Sequence, residues 1–225
     1  MMPVFNEIVE VNAEVYRNMI GIDSVFDEFD DLSSDAITKK YAHQITTSSS
    51  NQLSSHDQAI DYIFRQAAWL PTRFGTGQYP VWYASMDLIT SFYETLYHWK
   101  RIYLEKPSFK VTPKIIKTIR SVYTVECRAA LIDLRNKSKE YPELVHPDPE
   151  CYEITQKWGL RMHKEGYPGF LTYSARQTDG ENVVVFKDKI LTNAKHYHDY
   201  IYEYNMVSEQ EIVRSNITND VLLRR

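Results

Sequence analysis

The chain has little of what marks several protein classes. Its two cysteines, Cys127 and Cys151, lie far apart, with neither the paired spacing of a zinc site nor the density of a disulfide scaffold, so a reducing, cytoplasmic setting is expected. No apolar run is long enough to cross a bilayer, and the first ten residues, interrupted by Glu7 and Glu10, lack the basic, apolar, small-residue order of a secretory signal. Neither export by that route nor membrane insertion is expected. There is no internal repeat and no glycine-rich phosphate loop. Charge of one sign is missing too: 26 basic against 30 acidic residues give a formal net charge of −4, so no overall pull toward nucleic acid is expected.

At 225 residues the chain is long enough to bury a substantial core. Residues 1 to 58 read as a helical lead-in followed by a polar loop. Ile8, Val11, Val15 and Met19 recur at helical spacing, the acids at Asp27, Glu28, Asp30 and Asp31 read as a solvated face, and residues 46–55 are polar and loop-like. From residue 59 aromatic and β-branched residues become dense. Pro80 to Ala84 reads as a strand, Ser85-Met86-Asp87 as a helix start, and Leu88, Phe92, Leu96 and Trp99 as the apolar face of the helix that follows. Residues 114–120 could begin a helix, whereas 122–133 alternate as a strand. Residues 151–164 form a second amphipathic helix ended by Gly166, and strands follow at 169–174 and 182–187. Residues 191–225 read as a packing helix with a frayed tail. Strands interrupted by helices without regular βαβ alternation predict an α+β fold, a mixed β-sheet core with peripheral helices, the catalytic region spanning 59–190.

The stretch from Thr72 to His98 carries the chemistry. It spaces Arg73, Tyr83 and Glu94 across a loop, a strand and a helix, so that the three can converge on one cleft. An arginine holds phosphate, a tyrosine ring packs on a planar cation, and a lone carboxylate stabilises positive charge developing on a sugar. Those are the needs of a site that breaks the glycosidic bond of a nicotinamide dinucleotide. Each residue also has a plain reading: by periodicity Glu94 is a solvated acid beside Asp87, Ser91 and His98, and Tyr83 is ordinary strand packing. Glu94 with His98, and His196 with His198, complete no recognised metal pattern, so no metal is expected. Tyr173-Ser174-Ala175-Arg176 lacks the glycines of a nucleophile elbow.

The blocks Thr72-Arg73-Phe74, Val81-Trp82-Tyr83-Ala84 and Phe92-Tyr93-Glu94 resemble, in kind and order, the RES domain family, named for its arginine, glutamate and serine. The resemblance continues through residues 130–134, a central strand, and through residues 166–176 and 182–186, where Ser174 and Asn182 match the family's serine and asparagine. It covers about residues 60–190. The family's upstream Arg-Tyr pair has its best candidate in Arg65-Gln66, with glutamine in the tyrosine position.

The resemblance implies a fold like that of the ADP-ribosyltransferases and the activity of a bacterial toxin that depletes NAD and inhibits growth, with NAD as substrate and water or inorganic phosphate as acceptor. Alternatives are transfer of ADP-ribose to a protein and a noncatalytic nucleotide-binding module. It further implies a cognate helical antitoxin and a homodimer, with no direct nucleic-acid contact. On this reading Arg73, with Arg65 as a second candidate, pairs with the diphosphate and Tyr83 packs beside nicotinamide. Glu94 stabilises the oxocarbenium-like transition state, Ser174 and Asn182 orient the carboxamide or ribose, and Arg176 assists with phosphate; on the plain reading these last three serve as strand-end or turn contacts.

Overall fold

The computed structural model describes residues 5–20, 54–104 and 115–225. Its organising element is strand β3 (Ile115–Asp133), 19 residues long. Along one edge β3 pairs antiparallel with β1 (Ile8–Ile20) through an unbroken register from Ile8↔Ile132 to Ile20↔Arg120. Along the other edge it pairs with β6 (Leu191–Asn205), and where that pairing ends the last two residues of β3 run parallel to β4 (Gly169–Tyr173). β4 pairs with β5 (Glu181–Val185), β5 with β2 (Trp82–Ser85), and β2 returns to β1 at Tyr16↔Ser85. Five strands therefore close on themselves, while β6, β7 (Glu211–Ser215) and β8 (Val221–Arg224) extend the sheet to the eight-stranded order β1-β2-β5-β4-β3-β6-β7-β8. The expected α+β class with a mixed sheet is what is found.

Two long helices flank the sheet: α1 (Leu88–Leu104) and α2 (Tyr152–Lys164). Phe92, Leu96 and Trp99 of α1 are buried against Ile116, Val122, Tyr200, Tyr202, Tyr204 and Val213. Trp158 and Met162 of α2 pack with Phe74, Phe170, Val184 and Phe186. A third cluster, built on Val11, Val15, Trp82, Tyr123, Val125, Cys127, Leu171, Val183 and Val185, lies on the opposite side of β2, β4 and β5. Gly166 adopts φ +83° just past α2, a left-handed conformation that ends the helix without Cβ strain.

Three sequence expectations are corrected. The lead-in is a strand over Ile8–Ile20: Val9, Val11, Ala13 and Val15 alternate inward with period two, whereas Ile8, assigned to a helix face, is exposed. Residues 115–120 do not start a helix, because Ile116, Thr118 and Arg120 alternate inward as the first part of β3, and Lys114 lies outside the described residues. The C-terminal segment is β6, β7 and β8 rather than a packing helix, with Tyr200, Tyr202 and Tyr204 inward at every second residue. The acidic cluster at 27–31 and most of the polar loop lie outside the described residues. At the start of the next described stretch, Asp57–Asp61 forms a π-helical turn that runs into a short α-turn, Tyr62–Phe64.

The C-terminal hairpin is locked to the back of α1 by one buried carboxylate. Glu211, 2% exposed, pairs with Lys100 of α1 at 2.6 Å and with the Arg225 guanidinium, and Arg225 also lies over the Tyr93 ring. Desolvation pushes the Glu211 carboxyl upward, but bonds from Arg225 and Lys100 outweigh it and leave the pKa below its ordinary value. A depressed carboxylate pKa stabilises the fold above the unfolded value, and that stabilisation is lost as pH falls through the folded value. Glu211→Gln is therefore expected to cost roughly 2 kcal/mol at pH 7, after allowance for the partial exposure of its partners. The difference from wild type should shrink below about pH 4. Thermal melts of both proteins at pH 7 and pH 3.5 check this.

Candidate active site

Register builds the floor of a cleft. Ser85 of β2, Asn182 of β5 and Thr172 of β4 lie in one row across three strands, with Tyr83, Val184 and Phe170 in the next row on the same face. The chain leaves β2 at Ser85 and enters α1 almost at once, because Asp87 caps the helix by accepting from the Thr90 amide at 2.8 Å and the Thr90 hydroxyl at 2.6 Å. That short connection holds the first two turns of α1 over the floor. Glu94 thus meets the strand ends, with the Ser174 hydroxyl donating to its Oε1 at 2.6 Å and Asn182 Nδ2 donating to the same oxygen at 2.7 Å.

The two donors are themselves fixed. Ser174 Oγ accepts the amides of Arg176 and Gln177, both at 3.0 Å, so its proton is committed to Glu94. Asn182 Oδ1 accepts from Ser85 Oγ at 2.8 Å, which sets the amide orientation. Oε1 is saturated, whereas Oε2 has no bond to any described residue. Glu94 is partly buried in a cleft of about 470 Å³, and no described cation lies within ion-pair distance of it.

The cleft is otherwise cationic. Arg17, Arg73, Arg101, Arg120 and Arg176 line it. Arg73 donates through Nη1 to the carbonyls of His146 at 2.7 Å and Leu144 at 3.3 Å, and lies over the Tyr152 ring at 4.7 Å. Burial lowers the Arg73 pKa, with Arg176 adding repulsion while Tyr152 and Glu94 oppose it. Arg176 stacks on Tyr97 at 3.3 Å. Arg17 donates to the Tyr83 carbonyl at 2.6 Å and lies over Trp82; desolvation pushes its pKa down to about 10, so it remains charged near neutrality. No carboxylate of the described residues pairs with Arg17, Arg73 or Arg176. Carbonyls and rings orient these three side chains without neutralising them, which suits the cleft to an anion.

The loop carrying Arg73 is held from two sides. From α2, Thr155 Oγ1 donates to the Arg73 carbonyl at 2.6 Å and Gln156 Nε2 to the Thr72 carbonyl at 2.9 Å. Gly159 permits the close approach: a Cβ there would sit 1.9 Å from the Phe74 carbonyl oxygen. From β2, the Tyr83 hydroxyl accepts the Phe74 amide at 3.1 Å and shares a 2.8 Å hydrogen bond with Thr72 Oγ1. Burial pushes the Tyr83 phenol up to about 12, so it stays protonated. Its hydroxyl ties down the loop on both sides of Arg73.

The structure thus brings together six of the residues singled out in the sequence: Arg73, Tyr83, Glu94, Ser174, Arg176 and Asn182. Arg65 is not among the lining residues; it ends the short helical turn, 71% exposed, and pairs with Asp61 one turn earlier. Arg17, Thr72 and Tyr152 were missed. For Arg17 the signal was present, because it continues the inward alternation of Val11, Ala13 and Val15 once that segment is read as a strand. Among the described residues no group of three or more His, Cys, Asp or Glu side chains is placed to hold a metal ion. Nor is any described helix long and apolar enough to cross a membrane.

A model of the RES domain matches residues 45–205. The chain belongs to the RES domain family. A comparison with curated proteins returned no match. The RES match contains Arg73, Tyr83, Glu94, Ser174, Arg176 and Asn182, but β1 with Arg17 and the β7–β8 hairpin lie outside it.

Tyr83→Phe leaves the Phe74 amide and the Thr72 hydroxyl without their partner, and is expected to cost about 1 to 2 kcal/mol in a thermal or urea melt. With its loop loosened, Arg73 should hold an added anion less well, and the apparent Kd for inorganic diphosphate, where the protein binds it, should rise several-fold. Unchanged stability and affinity would refute the anchoring role.

Proposed function

We propose that this RES-domain protein cleaves the nicotinamide–ribose bond of NAD, with water or inorganic phosphate accepting the ADP-ribosyl group. The observation that carries this reading is Glu94: one carboxylate oxygen fixed by two neutral donors, the other unbonded among the described residues, in a cleft that five arginines also line.

In the substrate the pyridinium carries a positive charge. Breaking its bond to the ribose releases neutral nicotinamide, so the leaving nitrogen needs no proton, and positive charge moves onto the ribose. A carboxylate fixed beside that carbon stabilises the oxocarbenium-like transition state without having to reorient as charge develops. The bonds from Ser174 and Asn182 hold Glu94 in position, and its second oxygen is available to a ribose hydroxyl or to the proton of an attacking water. The arginines hold the diphosphate and so set the register of the ribose against Glu94. Half-buried and protonated, Tyr83 is a support for this arrangement rather than a base.

Transfer of ADP-ribose to a protein side chain would share the bond-breaking step and differ only in the acceptor. In a cell the cleavage reaction would deplete NAD and arrest growth, as expected of a toxin restrained by a cognate antitoxin.

Glu94→Gln keeps the shape and a hydrogen-bonding oxygen but removes the charge. We expect nicotinamide release, followed by chromatography, to fall at least 100-fold while the melting temperature is retained. An unchanged rate would remove Glu94 from the chemistry. Incubation with and without inorganic phosphate distinguishes ADP-ribose from its phosphate ester, and label appearing on an added protein would indicate transfer.

A further inference from the structure

Glu94 and His98 complete no metal site, yet among the described residues lining the cleft they are the two that can take up a proton at neutral pH. The other titratable residues there are five arginines and four tyrosines, side-chain types that hold their protons under those conditions. Burial holds the Tyr83 phenol at about 12, and Arg17, though lowered, titrates only near 10. Glu94 is committed elsewhere. Its Oε1 accepts from Ser174 and Asn182, and in the reaction proposed above the carboxylate faces a developing ribose cation. A proton taken up by Glu94 would cancel that charge as it is needed.

His98 follows Glu94 by one turn of α1. Residues four apart on a helix share a face, with Cβ atoms about 6 Å apart, and helical side chains lean toward the N-terminus, so the imidazole leans back toward the acid. No ion pair joins the two. Neither ring nitrogen of His98 is hydrogen-bonded to a described residue, and the ring makes an edge contact with Tyr97. His98 is exposed as well as lining the cleft, so water reaches it. The charged groups facing it are Glu94 and Arg101 of α1, Arg176 between β4 and β5, and Arg73 of the loop before β2. Desolvation lowers its pKa, Glu94 opposes this, and the three guanidiniums lower it further, so the ring is neutral at pH 7 and able to accept a proton.

We infer that His98 is the general base that takes the proton of the attacking water, leaving the Glu94 carboxylate to the ribose. The inference rests on the cleavage reading above and divides its work between two residues. The water oxygen bonds to the anomeric carbon as the glycosidic bond breaks, and that bond's electron pair stays on the nicotinamide nitrogen, which leaves neutral. The water proton passes to the imidazole and from there to solvent. An acceptor with no proton to lose, such as azide, needs no base.

His98→Gln keeps a polar side chain at an exposed helical position but removes the base. With NAD in water, kcat for ADP-ribose formation should fall about 100-fold, with KM changed less than about two-fold and the melting temperature retained. Sodium azide should return nicotinamide release by this variant to within about three-fold of wild type, with ADP-ribosyl azide as product. Glu94→Gln, lacking the charge that both acceptors depend on, should stay slow with either. A competition in the wild type needs no variant: as pH falls below 6.5, the ordinary histidine value, imidazolium can no longer accept the water proton and the azide product should gain on ADP-ribose. Wild-type hydrolysis by His98→Gln, equal losses with water and azide, or a product ratio that does not move with pH overturns the base and leaves the cleavage reading to Glu94→Gln. No nicotinamide release by the wild type with either acceptor removes both.

Discussion

The site depends on one constraint, a carboxylate held in place by neutral groups rather than by a cation. An arginine bound directly to Glu94 would orient it equally well but would withdraw the negative charge that, in the reaction proposed above, a developing sugar cation needs. Ser174 and Asn182 supply direction without that neutralisation. Their own orientation comes from elsewhere, through the amides of Arg176 and Gln177 and through Ser85. The chain of bonds ends in backbone and in the paired register of β2 and β5. A one-residue slip of that register would turn Asn182 and Tyr83 to the opposite face and dismantle the floor.

The same economy governs the arginines. A buried guanidinium is costly unless its donors are satisfied, and a carboxylate partner would satisfy them at the expense of the charge. Carbonyls of Tyr83, Leu144 and His146 and the rings of Trp82, Tyr97 and Tyr152 take that role here. The remaining desolvation cost is visible in the lowered pKa values of Arg17 and Arg73. An anion placed beside these guanidiniums would offset that cost.

Much of this arrangement was legible in the sequence because it is local. Arg73, Tyr83 and Glu94 lie within 22 residues of one another, and the loop, strand and helix that carry them each have their own signals. The errors arose where local pattern and tertiary pairing disagreed. Ile8, Val11, Val15 and Met19 do fit a helical period, yet Val9, Val11, Ala13 and Val15 fit period two, and only the long edge of β3 decides between them. Tyr200, Tyr202 and Tyr204 carried the same alternation, hidden among charged residues and tyrosines that suit either state. Arg65 was the best match to the family's upstream Arg-Tyr pair, and the fold sets it beside Asp61 rather than among the residues lining the cleft. With residues 8–20 taken as a helix, Arg17 had no reason to face a cleft. Tyr152 gave no signal at all, since its importance lies in two arginines that reach it from distant parts of the chain.

These corrections also bear on where the working unit begins and ends. The RES match starts at residue 45, but the pairing of β1 with β2 at Tyr16↔Ser85 closes the strands and carries Arg17 into the cleft. At the other end, residues 206–225 contribute β7 and β8, and the hairpin grips α1 through Glu211, Lys100 and Arg225. Arg225 covers Tyr93, the residue next to Glu94, while Glu94 itself is held on the sheet side of α1 by Ser174 and Asn182. The helix that presents the acid is thus fixed on both of its faces, once by the matched segment and once by the chain beyond it. A fragment trimmed to residues 45–205 would keep Arg73, Tyr83 and Glu94 but lose the strand that closes the sheet and the hairpin that backs the helix. The matched segment thus carries Glu94 and the groups that orient it, and the residues on either side complete the sheet and back the helix.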